Sequence, residues 1–211
     1  MLHCRHMQRL HCYLFAKYAI LILKGRDILI RNNRRYSLML PYNKNLDLVF
    51  EKENLKTIYL AGGCFWGTDA YMTRVLGVAE TESGYANGHA PLPVTYEEVC
   101  TEKTGYAETV KVVYDKTRVT LAEVLDEFFS ITNPTTLNRQ AADKGTRYRS
   151  GIYYIDDADI PVIQAAIDRV QTGFPDPVVT TIEPLVNYQS AEDYHQNYLD
   201  KNPTGYCHVQ F

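Results

Sequence analysis

One cysteine in a glycine-rich and aromatic segment is the residue of this sequence best placed to do chemistry. Cys64 follows Gly62-Gly63 and precedes Phe65-Trp66. A thiol at the first turn of a helix lies in the partial positive charge of unpaired N–H groups, which favours the nucleophilic thiolate. The two large rings beside it suggest a small, partly apolar substrate group. We therefore expect Cys64 to be a nucleophile; the alternative is an inert thiol packed in the core.

The elements expected around Cys64 would hold it between a strand and a helix. The apolar run 57–61 predicts the strand, and residues 65–76 predict the helix, which Gly77 ends. The two glycines before Cys64 allow the sharp turn between these elements and leave the sulfur uncovered. The local pattern thus predicts a thiol at a strand-to-helix junction.

Further along, strand and helix patterns follow one another in a regular order. Thr120 and Glu123 form a predicted capping box at the start of a helix, and Asn133-Pro134 ends that helix. We predict strands at 78–85, 108–114, 150–155 and 178–183, and helical segments at 95–100, 158–172 and 190–199. Strand–helix–strand repeated twice is the split βαβ order. The predicted fold is α+β, a two-layer sandwich with a ferredoxin-like core and a long coil-rich C-terminal segment.

Charge divides the chain into two parts. Residues 1–44 carry nine Lys or Arg and one acid, whereas the remainder carries 13 bases and 24 acids. An acidic body argues against nucleic-acid binding, which needs a basic surface. We predict a basic, poorly ordered N-terminal extension at 1–50 and a functional domain at 51–211. The apolar run 13–23 is too short for a helix that spans a bilayer, so no stable membrane insertion is expected.

The cysteines do not form a secreted disulfide framework. Their number is five, which is odd, and their spacing is irregular. Thiols of this kind are typical of a reducing compartment, so we predict a cytoplasmic protein. A metal-binding module is a non-enzymatic alternative for the N-terminal cluster, but its spacing matches no regular zinc pattern, and we expect no metal. That cluster consists of His3, Cys4, His6, His11 and Cys12.

Several blocks of the sequence resemble one enzyme family. The segment Gly63-Cys64-Phe65-Trp66-Gly67 resembles the signature of the A-type peptide methionine sulfoxide reductases. The similarity extends over roughly residues 56–211 and has the family's order of blocks. The further blocks are Thr95-Tyr96-Glu97-Glu98-Val99-Cys100, Thr104-Gly105-Tyr106-Ala107-Glu108, Asp143-Lys144-Gly145-Thr146-Arg147-Tyr148-Arg149-Ser150, Ala191-Glu192-Asp193-Tyr194-His195-Gln196 and Lys201-Asn202-Pro203-Thr204-Gly205-Tyr206-Cys207.

The resemblance implies a role for each of the reacting groups. Cys64 would attack the sulfoxide sulfur and become a sulfenic acid. Glu108 would be the acid near the oxygen, with a pKa raised by its aromatic surroundings; the alternative is an ordinary solvated glutamate. Tyr96 and Tyr148 would donate hydrogen bonds to that oxygen. Cys207 would form a disulfide with Cys64, and thioredoxin would reduce it; the alternative is an idle thiol near the terminus.

The resemblance also implies substrate-binding residues. Phe65 and Trp66 would hold the S-methyl group, unless they pack only in the core. Asp143 and His195 would lie near the backbone of the substrate methionine, although His195 is equally compatible with a structural hydrogen bond. The implied substrates are free and protein-bound methionine S-sulfoxide, with no bound cofactor, and we expect a monomer.

Two segments depart from the family pattern, and one other reaction class fits the residues. Tyr106 replaces a frequent histidine, and Thr132-Asn133-Pro134 replaces a common His-Asp-Pro. A cysteine acyltransferase or peptidase would pair Cys64 with His195 as its base. That reaction gives Cys207 no role, and we rank it second.

Overall fold

The strands of the computed structural model, which describes residues 40–209 and residue 211, form a six-stranded and a two-stranded sheet. In chain order they are β1 (Leu55–Gly62), β2 (Val78–Ala86), β3 (Ala107–Asp115), β4 (Arg139–Gln140), β5 (Asp143–Lys144), β6 (Ser150–Tyr154), β7 (Thr181–Pro184) and β8 (Tyr188–Ser190). The large sheet has the order β7-β6-β1-β3-β2-β8, and β4 pairs with β5. The pair β6–β7 is parallel and the others are antiparallel, so the sheet is mixed.

The register of the sheet brings three chain segments to one edge, the one formed by the end of β1 and the starts of β3 and β6. Strand β1 runs antiparallel to both neighbours, with Leu60 opposite Val110 of β3 and Gly62 opposite Ser150 of β6. The last residues of β1 therefore lie beside the first residues of β3 and β6. The residues just after β1, at the start of β3 and just before β6 meet at this edge, and they include Cys64, Glu108 and Tyr148.

Besides four short 3-10 helices, five α-helices accompany the sheets within the described residues. They are α1 (Phe65–Met72), α2 (Tyr96–Cys100), α3 (Leu121–Ile131), α4 (Ile160–Gln171) and α5 (Tyr198–Lys201). The predicted capping box at Thr120 and Glu123 is confirmed, and Thr95 with Glu98 forms another at α2. Buried side chains of β1 and β3, such as Ile58 and Val112, share one core with Phe128 of α3. The predicted combination of a sheet with packed helices is confirmed.

Two predicted helical segments differ from the structure. The helix predicted over 65–76 ends at Met72, and the chain turns before Gly77, whose φ is +98°. The helix predicted over 190–199 is wrong, because 188–190 form β8 on the edge of β2, and helical residues begin only at Tyr198. Asn197, with φ +50°, has the left-handed conformation that interrupts a helix.

Asn45 joins the segment before β1 to the rest of the described structure. Its side-chain amide donates to the carbonyls of Thr73 (3.0 Å) and Val75 (2.8 Å). Its side-chain oxygen accepts from the N–H of Gly77 (2.9 Å), and only 6% of the residue is exposed. The last residues of the predicted extension thus bond to the turn between α1 and β2.

We expect Asn45→Ala to lower the free energy of unfolding by about 2–3 kcal/mol, because three buried backbone groups lose their partner. Unfolding in urea measures this loss as a lower midpoint concentration, with an unchanged dependence of the free energy of unfolding on urea concentration. Asn54→Ala is the control, since Asn54 is bonded through its backbone. Equal destabilisation by both substitutions would contradict the anchoring role of the Asn45 side chain.

Other predictions for the N-terminal region concern residues 1–39, which lie outside the described residues. They include the apolar run 13–23, the His/Cys cluster and the poor order of the extension, and they stay predictions. Among residues 40–209 and 211, no helix is both long and apolar enough to cross a membrane. The same residues contain no group of three or more His, Cys, Asp or Glu side chains arranged to hold a metal ion.

Candidate active site

Cys64 lies at the junction between β1 and α1. It is the N-cap residue of α1, and Gly63 before it has φ +89°, a left-handed conformation that glycine adopts readily. A side chain at position 63 would also collide with Gln140. The predicted strand–turn–helix placement of the thiol is confirmed.

The thiol of Cys64 is buried, contrary to the expectation of an uncovered sulfur. Only 7% of the residue is exposed. Burial raises the pKa of the thiol well above its ordinary value, and the negative charges of Glu108 and Asp143 add to this effect. The N–H of Trp66 lowers the pKa but does not compensate. The N–H at the helix start thus acts in the expected direction, but burial outweighs it and favours the protonated thiol.

Glu108 is a buried carboxyl group next to the first turn of α1. Its Oε2 accepts from the N–H of Phe65 (3.1 Å), and 1% of the residue is exposed. Burial raises the pKa of Glu108 to about 8, although Phe65 N–H and the charge of Arg147 act in the opposite direction. The carboxyl group is therefore mostly protonated at neutral pH, and it is not the solvated glutamate of the alternative interpretation.

Tyr148 and Tyr96 are the two tyrosines predicted at the sulfoxide oxygen. Tyr148 is 7% exposed, and its hydroxyl accepts from Nη2 of Arg147 (3.0 Å). Tyr96 is half-buried, with its ring edge on His195 at a centroid distance of 4.5 Å. Burial and the charge of Glu108 raise the pKa of both phenols, so each keeps its proton. Both are therefore hydrogen-bond donors near Glu108.

His195 is held as a neutral ring among aromatic side chains. Its Nδ1 accepts from the indole N–H of Trp66 (2.9 Å), and Trp66 stacks on Tyr198 at 3.7 Å. The ring also lies 4.9 Å from Phe65, between centroids, and Phe65 is 1% exposed. Burial lowers the pKa of His195 to about 4. These contacts favour the structural interpretation of His195, which orients the Trp66 ring.

Asp143, Tyr206 and Cys207 connect the C-terminal segment to the site. The Tyr206 hydroxyl donates to Oδ2 of Asp143 (2.9 Å), and Asp143 is 4% exposed. A Cβ built on Gly67 would lie 3.2 Å from Sγ of Cys207, so this sulfur packs on the first turn of α1. Cys64 and Cys207 are not joined by a disulfide, and burial raises the pKa of Cys207.

Three residues of the site were missed from the sequence. The first is Arg147, whose Nε lies 3.8 Å from Oε1 of Glu108. The second is Tyr206, whose hydroxyl donates a hydrogen bond to Asp143. Glu192 accepts from the hydroxyl of Tyr85 (2.7 Å) and from the N–H of Tyr96 (2.9 Å). All three lie inside blocks that resemble the family, which was the available signal.

Tyr106 and Thr132, which stand at the two departures from the family pattern, are both buried, and the Thr132 hydroxyl has no hydrogen-bond partner among the described residues. The Tyr106 hydroxyl donates to the carbonyl of Ala90 (2.9 Å), and the residue is 1% exposed. Thr132 is buried, and its hydroxyl lies 2.9 Å from the position of a Cβ on Gly62. Neither residue supplies a reacting group.

Fold, thiol and buried carboxyl group together define a cysteine-based oxidoreductase, and comparison with known proteins identifies the kind. The family profile described as "Peptide methionine sulfoxide reductase" matches residues 56–211. The peptide methionine sulfoxide reductase MsrA of Clostridium acetobutylicum is 50% identical over 155 residues, which cover 74% of this chain and 95% of the relative. The chain belongs to the A-type peptide methionine sulfoxide reductases, as the resemblance implied.

Solved structures agree with this assignment. The crystal structure of Mxr1 from Saccharomyces cerevisiae in reduced form has a TM-score of 0.73 and 40% identity, and the match covers 77% of this chain and 95% of Mxr1. Mxr1 in complex with Trx2 matches with a TM-score of 0.51 and 30% identity, over 72% of this chain and 89% of that one.

Proposed function

We propose that this protein reduces methionine S-sulfoxide, free and in proteins, with Cys64 as the nucleophile and Glu108 as the acid. The observation that carries the proposal is the protonated, buried carboxyl group of Glu108 at the helix start that bears Cys64. A sulfoxide sulfur becomes electrophilic when its oxygen receives a proton or a strong hydrogen bond. A thiol and an un-ionised acid at one site meet this requirement.

The first step transfers oxygen from the substrate to Cys64. The Cys64 sulfur, having lost its proton, attacks the sulfoxide sulfur, while Glu108 protonates the oxygen and Tyr96 and Tyr148 donate hydrogen bonds to it. The attack forms a sulfur–sulfur bond, and this bond breaks together with the S–O bond of the substrate as the protonated oxygen passes to the Cys64 sulfur, while Glu108 is left as a carboxylate. The products are methionine and a sulfenic acid, so the substrate sulfur is reduced and the cysteine sulfur is oxidised.

Substrate binding is assigned to the aromatic and polar groups around the thiol. Phe65 and Trp66 would contact the S-methyl group, and the hydrogen bond from Trp66 to His195 supports a fixed indole position. Asp143 would bind near the backbone of the substrate methionine. Its bond to Tyr206 links that subsite to the C-terminal segment.

The second step regenerates a reducible enzyme through Cys207. The Cys207 thiol loses its proton, and the thiolate attacks the sulfenic sulfur of Cys64. The S–O bond breaks, and the hydroxide leaves as water after it takes up the proton that Cys207 lost. The position of Cys207 on the first turn of α1 supports this role. We infer that thioredoxin reduces the resulting disulfide, since the related Mxr1 has been crystallised with Trx2.

Cys207→Ser should uncouple the two steps. Without external reductant the variant should still release about one equivalent of methionine per enzyme, because the first step needs only Cys64. Turnover driven by thioredoxin should collapse, since no disulfide forms. Quantifying methionine after mixing with each separated sulfoxide epimer tests the reaction and its stereochemistry together. Release from the R epimer alone, or no release from either, would overturn the proposal.

The acyltransferase alternative is disfavoured by the surroundings of His195. A base for Cys64 needs a free ring nitrogen and a pKa near neutrality. Nδ1 of His195 accepts from Trp66, so the proton of the neutral ring lies on Nε2 and neither nitrogen offers a free lone pair, and burial lowers the pKa of the ring to about 4. Cys207→Ser would leave acyl transfer intact, so the experiment above also separates the two reactions.

The remaining proposals concern organisation and setting. We interpret β6-β1-β3-β2 as a ferredoxin-like core with split βαβ connections, followed by a coil-rich segment; the antiparallel pairing of these strands supports this interpretation. We propose that 51–211 form the reductase domain and that 1–50 are an extension. We also propose a monomer that repairs oxidative damage in the cytoplasm, without a bound cofactor.

A further inference from the structure

The carboxylate of Glu102 holds the turn that carries Arg147 and Tyr148. It accepts hydrogen bonds from the N–H of Thr146 (2.5 Å), from the N–H of Arg147 (3.2 Å) and from the Thr146 hydroxyl (2.5 Å). It also forms an ion pair with Nη1 of Arg147. Gly145, with φ +136°, lies against this carboxylate, and a Cβ there would overlap it. Backbone and side chain of the turn are thus fixed by one acidic residue.

The backbone of Glu102 is itself in an unusual conformation. Its φ is +64°, in the left-handed region that disfavours residues other than glycine. Such a conformation persists only where the surrounding contacts enforce it. Here the contacts are those of the carboxylate with Thr146 and Arg147, in a side chain that is 30% exposed. An observed backbone outlier beside a reactive group is a reason to look for a functional role.

The guanidinium of Arg147 has four neighbours. Nη1 binds Glu102 and donates to the carbonyl of Cys100 (3.5 Å), Nη2 donates to the Tyr148 hydroxyl (3.0 Å), and the central carbon lies 4.3 Å from the centre of the Tyr148 ring. Only Nε faces Glu108, at 3.8 Å from Oε1, which is beyond hydrogen-bonding distance. Neither of these two buried atoms has a hydrogen-bond partner among the residues that the structure describes.

A small movement of Arg147 would change the chemistry of Glu108. A shift of about 1 Å would turn the 3.8 Å approach into a charge-assisted hydrogen bond. Such a bond stabilises the carboxylate. It would therefore lower the pKa of Glu108 and reduce the fraction of Glu108 that is protonated at neutral pH. The site therefore requires that Arg147 stay near Glu108 without bonding to it.

We propose that Glu102 is a positioning residue that holds the Arg147 guanidinium on the Tyr148 ring and outside hydrogen-bonding distance of Glu108. The inference rests on the proposed role of Glu108 as the acid. Arg147 lowers the pKa of Glu108, whereas the negative charges of Asp143 and Glu102 raise it. The other titratable groups whose charges interact with Glu108 are Cys64 before α1, Tyr85 on β2, Tyr96 on α2 and Tyr148 before β6.

Two substitutions of Glu102 test the proposal. Glu102→Gln keeps the size of the side chain but removes its charge, and Glu102→Gly removes the side chain while suiting the left-handed backbone, so this variant should fold. Arg147 should then bond to Glu108. We expect the limb of the pH profile of kcat/KM that reports Glu108, near pH 8 in the unchanged protein, to move to lower pH by about one unit in both variants.

The substrate for this measurement is N-acetylmethionine S-sulfoxide, with dithiothreitol as reductant. Lys103→Gln, a change at the exposed neighbour of Glu102, is the control and should leave the limb in place. In Arg147→Gln the limb should lie at a higher pH than in the unchanged protein. Adding Glu102→Gln to Arg147→Gln should move the limb by less than a third of the shift that Glu102→Gln causes alone. A residue that only supports the fold would lower activity without moving the limb.

Glu108→Gln separates this inference from the proposed function. If the limb persists in that variant, Glu108 is not the acid and the proposed mechanism fails. If the limb disappears there but stays near pH 8 in Glu102→Gln and Glu102→Gly, the positioning role of Glu102 is wrong and the mechanism stands. An equal shift with and without Arg147 would also refute the positioning role, because the effect would then not pass through the guanidinium.

Discussion

Cys64→Ser will abolish sulfoxide reduction, with a loss of about 10⁴-fold or more, as expected when the nucleophile of a site is removed. A serine hydroxyl is far less nucleophilic than a thiol and forms no sulfenic acid. The measurement is the formation of N-acetylmethionine from its S-sulfoxide, in single turnover and with reductant present. Both assays should fail, which distinguishes this variant from Cys207→Ser.

Cys100→Ser is the matched control for Cys64→Ser. Cys100 ends α2, where it follows the buried Val99, and the proposed reaction gives it no role. We expect most of the activity to remain in this variant, and thermal unfolding should show that both serine variants are folded. Equal loss in the two variants would contradict the assignment of Cys64 as the sulfur that attacks the substrate.

Glu108→Gln will lower the rate of the first step by about 10²–10⁴-fold, the usual effect of losing a general acid. Glutamine retains the shape of the side chain and can still accept from the N–H of Phe65, but it delivers no proton to the sulfoxide oxygen. Pre-steady-state release of methionine measures this step separately from disulfide formation. Glu80→Gln, on the exposed surface of β2, should retain full activity.

The pH profile provides a second, independent signature of Glu108. In the state that attacks the substrate, Cys64 and Glu108 together hold one proton. That proton is on Glu108, since the sulfur must be ionised while the carboxyl group is protonated. The first proton leaves near pH 8, where burial places the pKa of Glu108, and the second leaves at higher pH, because burial raises the pKa of Cys64 well above its ordinary value. The kcat/KM should therefore rise through pH 8 and fall only at higher pH.

In Glu108→Gln the rise near pH 8 should be absent, and the residual rate should increase with the ionisation of Cys64 alone. An unchanged profile in this variant would show that another group delivers the proton. A normal rate with a normal profile would remove Glu108 from the mechanism altogether.

Local sequence signals predicted the elements that carry the site. The turn at Gly63, the helix that begins after Cys64 and the strand that begins near Glu108 follow from backbone freedom, capping and alternation, which depend on neighbouring residues. The capping box at Thr120 is of the same kind. Such features need no knowledge of the tertiary structure, so the sequence was sufficient for them.

Features that depend on distant contacts were not predictable in this way. Residues 188–190 form a strand only because the edge of β2 is available, and Asn197 interrupts the helix expected there. The burial of Cys64, which raises the pKa of its thiol, was also not predicted, because burial is a property of the folded chain and not of the local sequence. The ion pair of Arg147 with Glu102 joins two segments that no local pattern connects.

The covered thiol of Cys64 has a consequence for its exposure to oxidants. Burial raises the pKa of this thiol well above its ordinary value, so the sulfur keeps its proton at neutral pH. Hydrogen peroxide attacks thiolates that solvent can reach, and the sulfinic acids it produces are rarely restored. A covered and protonated sulfur is a poor target for peroxide, so Cys64 is shielded from self-inactivation between catalytic cycles.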